Sequence, residues 1–313
     1  MSFSHDVRNE LAREMPEREC CCRAELSALL QTASIRMEEQ GTDLILGTEM
    51  ENAATARKVF KLFKQTYGLQ SSVRMETRKR FGRNRIYEVK TIIPAGQRSL
   101  MTELQLGEPR RSRRKSLTSK ICCKRAFLRG VFLNRGFVNR PEGEYHLELI
   151  VTESRLAEEL KQIMARFGIE ARQFERKGNL VLYIKESDQI SDFLRVVGAS
   201  TALLEFENVR ILKSMRNDVN RQVNCETANL GKTVDASVRQ MDCIRKLTRI
   251  QGWGNLPPEL RELARLRLEY PDHSLRELGE MMATPLSKSG VAYRMRKLEK
   301  MAEERLQILG KQD

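Results

Sequence analysis

Apolar residues follow two alternating periods in the first two thirds of the chain. A three-and-four spacing in 20–34 predicts a helix. Residues 44–70 then begin with strand-like alternation and continue with helical spacing up to Tyr67-Gly68-Leu69, and a glycine just past a helix is a common stop signal. A β-like run in 85–93 and a closing helix in 99–106 follow. The same order returns in 121–138, 146–170, 179–187 and 188–198.

The two series match residue by residue at their first helices. Cys20 and Cys21 align with Cys122 and Cys123, and Ala28 aligns with Gly130, at a constant difference of 102 in residue number. A glycine inside a helix costs about 1 kcal/mol relative to alanine, so we expect Gly130 to serve a close helix contact. The fold class predicted is α+β, with a pseudo-two-fold αββαββα repeat unit followed by an all-α helix-turn-helix domain. The repeats cover about 19–106 and 121–207, within a first domain of 1–212.

Residues 213–255 predict a helical connection and linker. Apolar residues lie three and four apart at Val234, Val238, Met241 and Ile244. Asparagines are frequent in 217–229, and asparagine is a poor residue for helix interiors, so these side chains either form hydrogen bonds at a domain junction or contact DNA or a partner. Glycines and prolines in 251–258 mark the linker.

Residues 256–313 predict a helix-turn-helix. A first helix ends before Pro271, and Ser274 with Glu277 forms a capping-box pattern before a second helix that ends near Ala283. Ser287 can cap a third helix, in which Val291, Met295 and Leu298 share one face. The opposite face is basic, as expected for a helix that enters a DNA groove. A charged outer face is also common in helices that only meet solvent.

Ten residues are expected to contact DNA from this domain. Base-edge or groove contacts are expected from Ser289, Tyr293, Arg294 and Arg296, and phosphate contacts from Lys288, Lys297 and Lys300. The first turns of the two helices complete the set with Ser274, Ser287 and Gly290, since backbone N–H groups at a helix start can meet a phosphate.

The charge agrees with a nucleic-acid partner. Lys and Arg exceed Asp and Glu by 14, which indicates a polyanion such as nucleic acid or, less strongly, an anionic membrane surface. The segment 110–125 has eight basic and no acidic residues. It is either a solvated loop or a set of contacts to the DNA backbone through Arg110, Arg111, Arg113, Arg114 and Lys115. We expect no membrane-spanning segment and no secretory signal, and therefore a cytoplasmic, nucleoid-associated protein.

The seven cysteines favour free thiols in a reducing compartment. Their number is odd, no C-x-x-C occurs, and no histidine lies close to them in sequence, so neither a metal site nor a cofactor is predicted. Adjacent cysteines on one helix point about 100° apart and cannot bind one ion from that helix alone. Thiols from two paired helices could still meet, but buried thiols are the favoured interpretation.

The repeat unit resembles the LAGLIDADG homing endonucleases. The resemblance rests on "LRGVFLNRG" (128–136) and more loosely on "LSALLQTAS" (26–34). It implies that the two helices pair at a pseudo-two-fold axis and that the flanking strands form a saddle. Those enzymes need an acidic metal ligand near the end of each helix, where this chain has Ala33 and Arg135. No enzymatic activity is therefore expected, and a metal-dependent nuclease is the disfavoured alternative.

The whole chain resembles the WhiA family of bacterial DNA-binding regulators. The residues that carry this are "FSHDVRNELARE", "CCKRAFLRGVFLNRGFV", "MRNDVNRQVNCETANLGKTVDA" and the helix-turn-helix segment 256–298. The resemblance implies a non-enzymatic, sequence-specific regulator that binds double-stranded DNA, with other transcription or division proteins as further partners. It also implies roles in sporulation, cell division and chromosome segregation. The alternative is that the LAGLIDADG-like domain is a protein- or ligand-interaction module, with DNA binding confined to the helix-turn-helix.

Overall fold

The computed structural model describes residues 2–78, 84–106 and 117–309. The chain divides into two compact units, Met1–Ser214 and Met215–Asp313.

The first unit contains the repeated order of elements that the sequence predicts. It starts with α1 (Phe3–Arg13). The first repeat comprises α2 (Glu19–Gln31), β1 (Ser34–Gln40), β2 (Asp43–Met50), α3 (Ala53–Tyr67), β3 (Ser71–Arg78), β4 (Asn84–Ile93) and α4 (Ser99–Glu103). The second comprises α5 (Ile121–Arg135), β5 (Gly136–Val138), β6 (Leu147–Val151), α6 (Ser154–Ala165), β7 (Arg172–Arg176), β8 (Asn179–Ile184) and α7 (Ser187–Val197). The predicted αββαββα plan is confirmed in both halves.

Each repeat forms one antiparallel four-stranded sheet with the same order. The strands are arranged β1-β2-β4-β3 and β5-β6-β8-β7. Alternate residues face the helices, since successive side chains of a strand point to opposite sides. In the first sheet, Leu46, Val89 and Ile93 are fully buried on that side. In the second sheet, Leu149 and Leu182 are buried in the same way. Both sheets contribute to one hydrophobic core with the helices.

Helices α2 and α5 pack closely along the axis between the repeats, as their aligned small residues predict. A Cβ atom built on Gly130 would lie 2.6 Å from the Glu25 carbonyl oxygen and 2.8 Å from the Ala28 Cβ. These separations are far below van der Waals contact. Only glycine therefore fits at this position, and the predicted packing role of Gly130 is confirmed.

A buried ion cluster joins α2 to α3 and α5. Glu25 is fully buried, and its two carboxylate oxygens face different cations. One oxygen pairs with Lys58 of α3, and the other lies 2.6 Å from Nη2 of Arg129 on α5. Lys58 also donates to the carbonyl oxygen of Leu11 at 2.8 Å. Burial lowers the pKa of Lys58, and Glu25 offsets part of this shift by favouring the charged amine.

The second unit contains most of α8 (Ser200–Gln251), followed by α9 (Pro258–Glu269), α10 (Leu275–Glu280) and α11 (Lys288–Leu309). The core is formed by apolar residues of all four helices and of the turns between them. Its fully buried members include Ile244, Leu247, Leu260, Leu263, Leu278, Val291 and Leu298.

Two details of this unit differ from the sequence predictions. The second helix ends at Glu280 rather than near Ala283, because the chain turns at Met281 to bring Leu286 back against Gly279. Val234 and Val238, predicted to continue an apolar stripe with Ile244, are exposed by 47% and 55%. The buried part of α8 in this unit begins only at Ser237, which donates to the Pro271 carbonyl oxygen at 2.5 Å.

Candidate nucleic-acid interface

A capping box fixes the start of α10. The Ser274 side chain accepts a hydrogen bond from the Glu277 amide at 3.3 Å, and the Glu277 carboxylate accepts one from the Ser274 amide at 2.6 Å. The hydrogen bond from the Ser274 amide, together with the Ser274 hydroxyl, lowers the pKa of the Glu277 carboxyl. The predicted capping box is confirmed, and it gives the Ser274 hydroxyl a structural role beside its predicted contact with DNA.

Gly279 allows the turn between α10 and α11 to close. The Leu286 amide donates to the Gly279 carbonyl oxygen at 3.0 Å. A Cβ atom at Gly279 would lie 2.3 Å from the Leu286 carbonyl oxygen and 2.9 Å from Cγ2 of Val291. The angle between the two helices therefore depends on a residue without a side chain.

Replacing Gly279 with alanine is expected to destabilise the second unit by about 1–2 kcal/mol, because the turn has to move outward to admit the methyl group. Gly290→Ala is the matched control, since its Cβ would have an ordinary contact of 3.6 Å with the Ser287 Oγ. Urea unfolding followed by the fluorescence of Trp253, the single tryptophan, measures this unit. Equal midpoints for the two variants would contradict the role given to Gly279.

The exposed face of α11 carries most of the residues that the sequence predicts as DNA contacts. Ser287 caps the helix, since its Oγ accepts from the Gly290 amide at 3.3 Å. The buried residues Val291, Met295 and Leu298 hold the inner face. The side chains exposed along the outer face are Ser289, Tyr293, Arg296, Lys297 and Lys300, and Lys288 is exposed at the first residue of the helix. Tyr293 is 66% exposed, so its ring is available to a partner molecule at this face.

Arg294 lies on a different side of α11 from the other predicted contacts. Its Nη2 is 3.4 Å from the Glu259 carboxylate of α9, and its Nη1 is 4.0 Å from the Met282 sulfur. It is only partly exposed. The geometry therefore assigns Arg294 first to the contact between α9 and α11, and its base contact stays a prediction.

Two further exposed residues, in α10 and in the turn after it, were not predicted from the sequence. Arg276 projects from α10, where it pairs with Glu280 at 3.0 Å, and Thr284 lies in the turn before α11. The capping-box spacing could have predicted that Arg276 is exposed, because Arg276 lies one residue after the first residue of the capped helix. The basic residues Arg110, Arg111, Arg113, Arg114 and Lys115 lie outside the described residues.

The outer faces of the two sheets carry little free positive charge among the described residues. Arg36 pairs with Glu49 at 2.9 Å, and Arg176 pairs with Glu148 at 3.1 Å. Apolar side chains also project from these faces, with Ile92, Phe137 and Phe174 exposed by 43%, 39% and 39%. A surface that binds the phosphate backbone needs unpaired cations, and the described part of these faces offers few.

The ends of α2 and α5 meet where a LAGLIDADG endonuclease would hold its metals. Arg135 donates from Nε to the Thr32 carbonyl oxygen at 2.9 Å, and Asn134 donates to the Thr32 hydroxyl at 3.2 Å. Ala33, two residues past the end of α2, is the position that aligns with Arg135. A cation and a methyl group cannot supply the carboxylates that divalent metals prefer at this position.

Comparison with known families accounts for both units. Three family models match: the WhiA N-terminal LAGLIDADG-like domain over residues 19–106, the WhiA LAGLIDADG-like domain over 124–216 and the WhiA C-terminal HTH domain over 219–302. The chain belongs to the WhiA family. The resemblance noted from the sequence is thereby confirmed across the repeat unit and the helix-turn-helix.

Individual relatives of the WhiA family match over nearly the full length. The chain is 53% identical to the probable cell division protein WhiA of Syntrophomonas wolfei, covering 98% of this chain and 99% of the relative. It is 46% identical to that of Heliobacterium modesticaldum, covering 97% and 96%. The crystal structure of full-length DUF199/WhiA from Thermotoga maritima aligns over 97% of this chain and 99% of that one, with a TM-score of 0.59 at 25% identity.

None of the described helices is both long and apolar enough to cross a bilayer.

Proposed function

We propose that this WhiA-family chain is a non-enzymatic, sequence-specific binder of double-stranded DNA that reads its site with α11. The observation that carries the proposal is the sorting of residues on that helix: Val291, Met295 and Leu298 are buried, while Tyr293, Arg296 and Lys297 are exposed on the opposite face. A recognition helix in a major groove needs this arrangement, with its inner face fixed by packing and its outer face available to base edges.

The start of α11 supports a phosphate contact. Lys288, Ser289 and Gly290 form the first turn of a 22-residue helix, and their amides lie at its positive end. The Gly290 amide already donates to the Ser287 Oγ at 3.3 Å, so a phosphate at this turn would meet the amides of Lys288 and Ser289. Lys288 adds charge at this first turn and Lys297 adds charge on the outer face, and these contacts would fix the register from which Tyr293 and Arg296 reach bases.

The biological role proposed here is a regulator of transcription or a chromosome-associated factor in the cytoplasm, associated with the nucleoid. Its relatives carry the name of cell division proteins, which supports a role in division. Roles in sporulation and chromosome segregation, and further protein partners among transcription or division proteins, belong to the same proposal.

A nuclease activity is not part of this proposal. Arg135 stands where an acidic ligand is required, and its guanidinium is held by the Thr32 carbonyl oxygen. A divalent metal at this position would meet a fixed positive charge, which opposes the binding that phosphodiester hydrolysis needs.

The sheet faces of the first unit favour a second candidate function. Because Ile92, Phe137 and Phe174 are exposed there and the arginines Arg36 and Arg176 are paired, this surface suits a protein or ligand better than a phosphate backbone. In this second candidate function the LAGLIDADG-like unit is an interaction module, and DNA binding is confined to the helix-turn-helix.

Binding of labelled duplex DNA over a series of salt concentrations tests the proposal with the full chain. For Lys297→Ala we expect weaker binding to all sequences. The slope of the logarithm of the binding constant against the logarithm of the salt concentration should become shallower by about one. Lys246→Ala is the control, because Lys246 is a half-exposed lysine on α8 that pairs with Asp242 at 2.6 Å. Equal loss in both variants would contradict a contact specific to α11.

The same assay tells whether DNA binding is confined to the helix-turn-helix or also involves the LAGLIDADG-like unit. A variant with alanine at Lys288, Tyr293, Arg296 and Lys297 removes most of the exposed face of α11. If DNA binding disappears even at low salt, binding is confined to the helix-turn-helix. Residual, salt-sensitive binding would show that another part of the chain contacts DNA.

A further inference from the structure

Four thiols converge where α2 and α5 begin. Cys20 and Cys21 lie in the first turn of α2, and Cys122 and Cys123 occupy the equivalent positions of α5. Their four Sγ atoms all lie within 4.8 Å of one another. The interpretation as separate buried thiols is therefore incomplete: the close approach of the helices lets each pair turn its side chains toward the axis, although each pair spans about 100° on its own helix.

The spacing fits one metal ion with four sulfur ligands. Zinc binds thiolates tetrahedrally at about 2.3 Å, which places the sulfurs about 3.8 Å apart. Small side-chain rotations would close the remaining difference from 4.8 Å. In an iron–sulfur cluster the thiolates bind different iron atoms, so they must stand farther apart than four ligands of a single ion.

Burial raises the pKa of the Cys21 and Cys123 thiols, whereas the helix ends and nearby cations favour thiolates at the cluster. All four cysteines lie at helix N-termini, where the partial positive charge of the helix favours a thiolate. Nη1 of Arg18 lies 3.9 Å from the Cys122 sulfur. Arg23 and Lys120 line a cleft of about 240 Å³ together with Cys20 and Cys123. Arg18 and Lys120 can offset part of the net negative charge of a tetrathiolate site, whereas Arg23 is already paired with Glu19 and Glu103.

The burial pattern is that of a closed site with an entry path. Cys21 and Cys123 are exposed by only 7% and 2%, while Cys20 and Cys122 are partly exposed. Ala24 and Ala126 complete a small apolar cluster with the buried pair. An ion could enter beside Cys20 and Cys122 and then be shielded from water on its inner side.

We propose that Cys20, Cys21, Cys122 and Cys123 bind one structural Zn²⁺ ion that links the two repeats. Four thiolates leave no open position, so the ion has a structural role and no catalytic one. Binding replaces the thiol protons, which pass to solvent. The ion would fix the start of both axial helices, while Thr32, Asn134 and Arg135 hold their far ends. This inference is independent of the proposed DNA binding.

Metal analysis of the full chain tests the site. The protein is purified under anaerobic conditions, without chelator and without a histidine tag, and its zinc content is measured by mass spectrometry. We expect one zinc per chain, falling to almost none in the Cys20→Ser/Cys122→Ser variant. The controls are Cys22→Ser, adjacent in the same helix but outside the cluster, and Cys225→Ser, an exposed cysteine of α8. Both controls should keep the metal.

Cobalt substitution reports the geometry directly. The wild-type chain with Co²⁺ in place of zinc is expected to show intense visible bands of a tetrahedral ion and a sulfur-to-cobalt charge-transfer band. These bands should be absent from the Cys20→Ser/Cys122→Ser variant, whose circular dichroism establishes that it is folded. If that variant is unfolded, the single Cys20→Ser variant replaces it, and a weakened, shifted spectrum is expected.

Three results would overturn the proposal. The first is a reduced wild-type chain that contains no zinc and gives no tetrahedral cobalt spectrum. The second is a cobalt spectrum that is unchanged in the cysteine variants. The third is a disulfide among these four cysteines, found by peptide mapping of the anaerobically purified protein, which would make the cluster a redox pair rather than a metal site.

Discussion

Replacing Glu25 with alanine is expected to lower the free energy of unfolding of the first unit by about 3–5 kcal/mol, the cost of leaving a buried partner charge uncompensated. Lys58 and Arg129 both face this carboxylate, and the side chains of Glu25 and Lys58 are completely buried. Lys58 keeps its hydrogen bond to the Leu11 carbonyl oxygen but loses its counter-charge. Two cations then remain inside one core.

Urea unfolding followed by circular dichroism measures this loss, while Trp253 fluorescence reports the second unit separately. Glu158→Ala provides the comparison, since Glu158 forms an exposed pair with Lys161 at 3.5 Å. Exposed pairs contribute about 0–1 kcal/mol. A Glu25→Ala variant as stable as Glu158→Ala would refute the view that this cluster holds α2, α3 and α5 together.

Replacing Gly130 with alanine is expected to destabilise the first unit by about 2–3 kcal/mol, because the added methyl group would overlap two atoms of α2. The carbonyl oxygen of Glu25 and the Cβ of Ala28 would lie at 2.6 and 2.8 Å. Both atoms belong to a helix in a closed core, so the overlap can be relieved only if α2 and α5 move apart. The higher helix propensity of alanine, about 1 kcal/mol, recovers only part of the cost.

Gly231→Ala is the matched control for this substitution. Gly231 also lies inside a helix, α8, but nothing lies within 4 Å of an added Cβ. Alanine there should be neutral or should stabilise by up to about 1 kcal/mol. If Gly130→Ala behaves in the same way, the axial helices do not approach as closely as described.

The elements and their repeat were predictable because they depend on local periods and on one internal alignment. The strand and helix spacings predict both αββαββα halves, and the match of Ala28 with Gly130 predicts the axial contact. The capping box at Ser274 and Glu277 was equally predictable, since both partners lie within four residues of each other.

The contacts that sequence missed depend on distances between elements. Arg294 lies three residues after Val291 and four before Leu298, so its spacing already places it beside the buried face, but its pairing with Glu259 of a different helix could not be predicted. Lys58 belongs to an amphipathic pattern that gives no sign of its burial beside Glu25. The sequence left open that thiols of two paired helices meet but favoured separate buried thiols, and their convergence depends on how closely α2 and α5 pack. Each case requires the packing angle of two helices, which a periodic pattern does not contain.

Helix α11 is proposed to determine which DNA sequence the chain binds. Selection of bound fragments from random duplex DNA, carried out with the full-length chain and with its Tyr293→Ala/Arg296→Ala variant, measures this. Arg245→Ala, an exposed arginine of α8 in the same unit, is the control. We expect the wild type and the control to enrich one motif, and the α11 variant to lose it or to relax individual positions. An unchanged motif in the α11 variant would contradict the account.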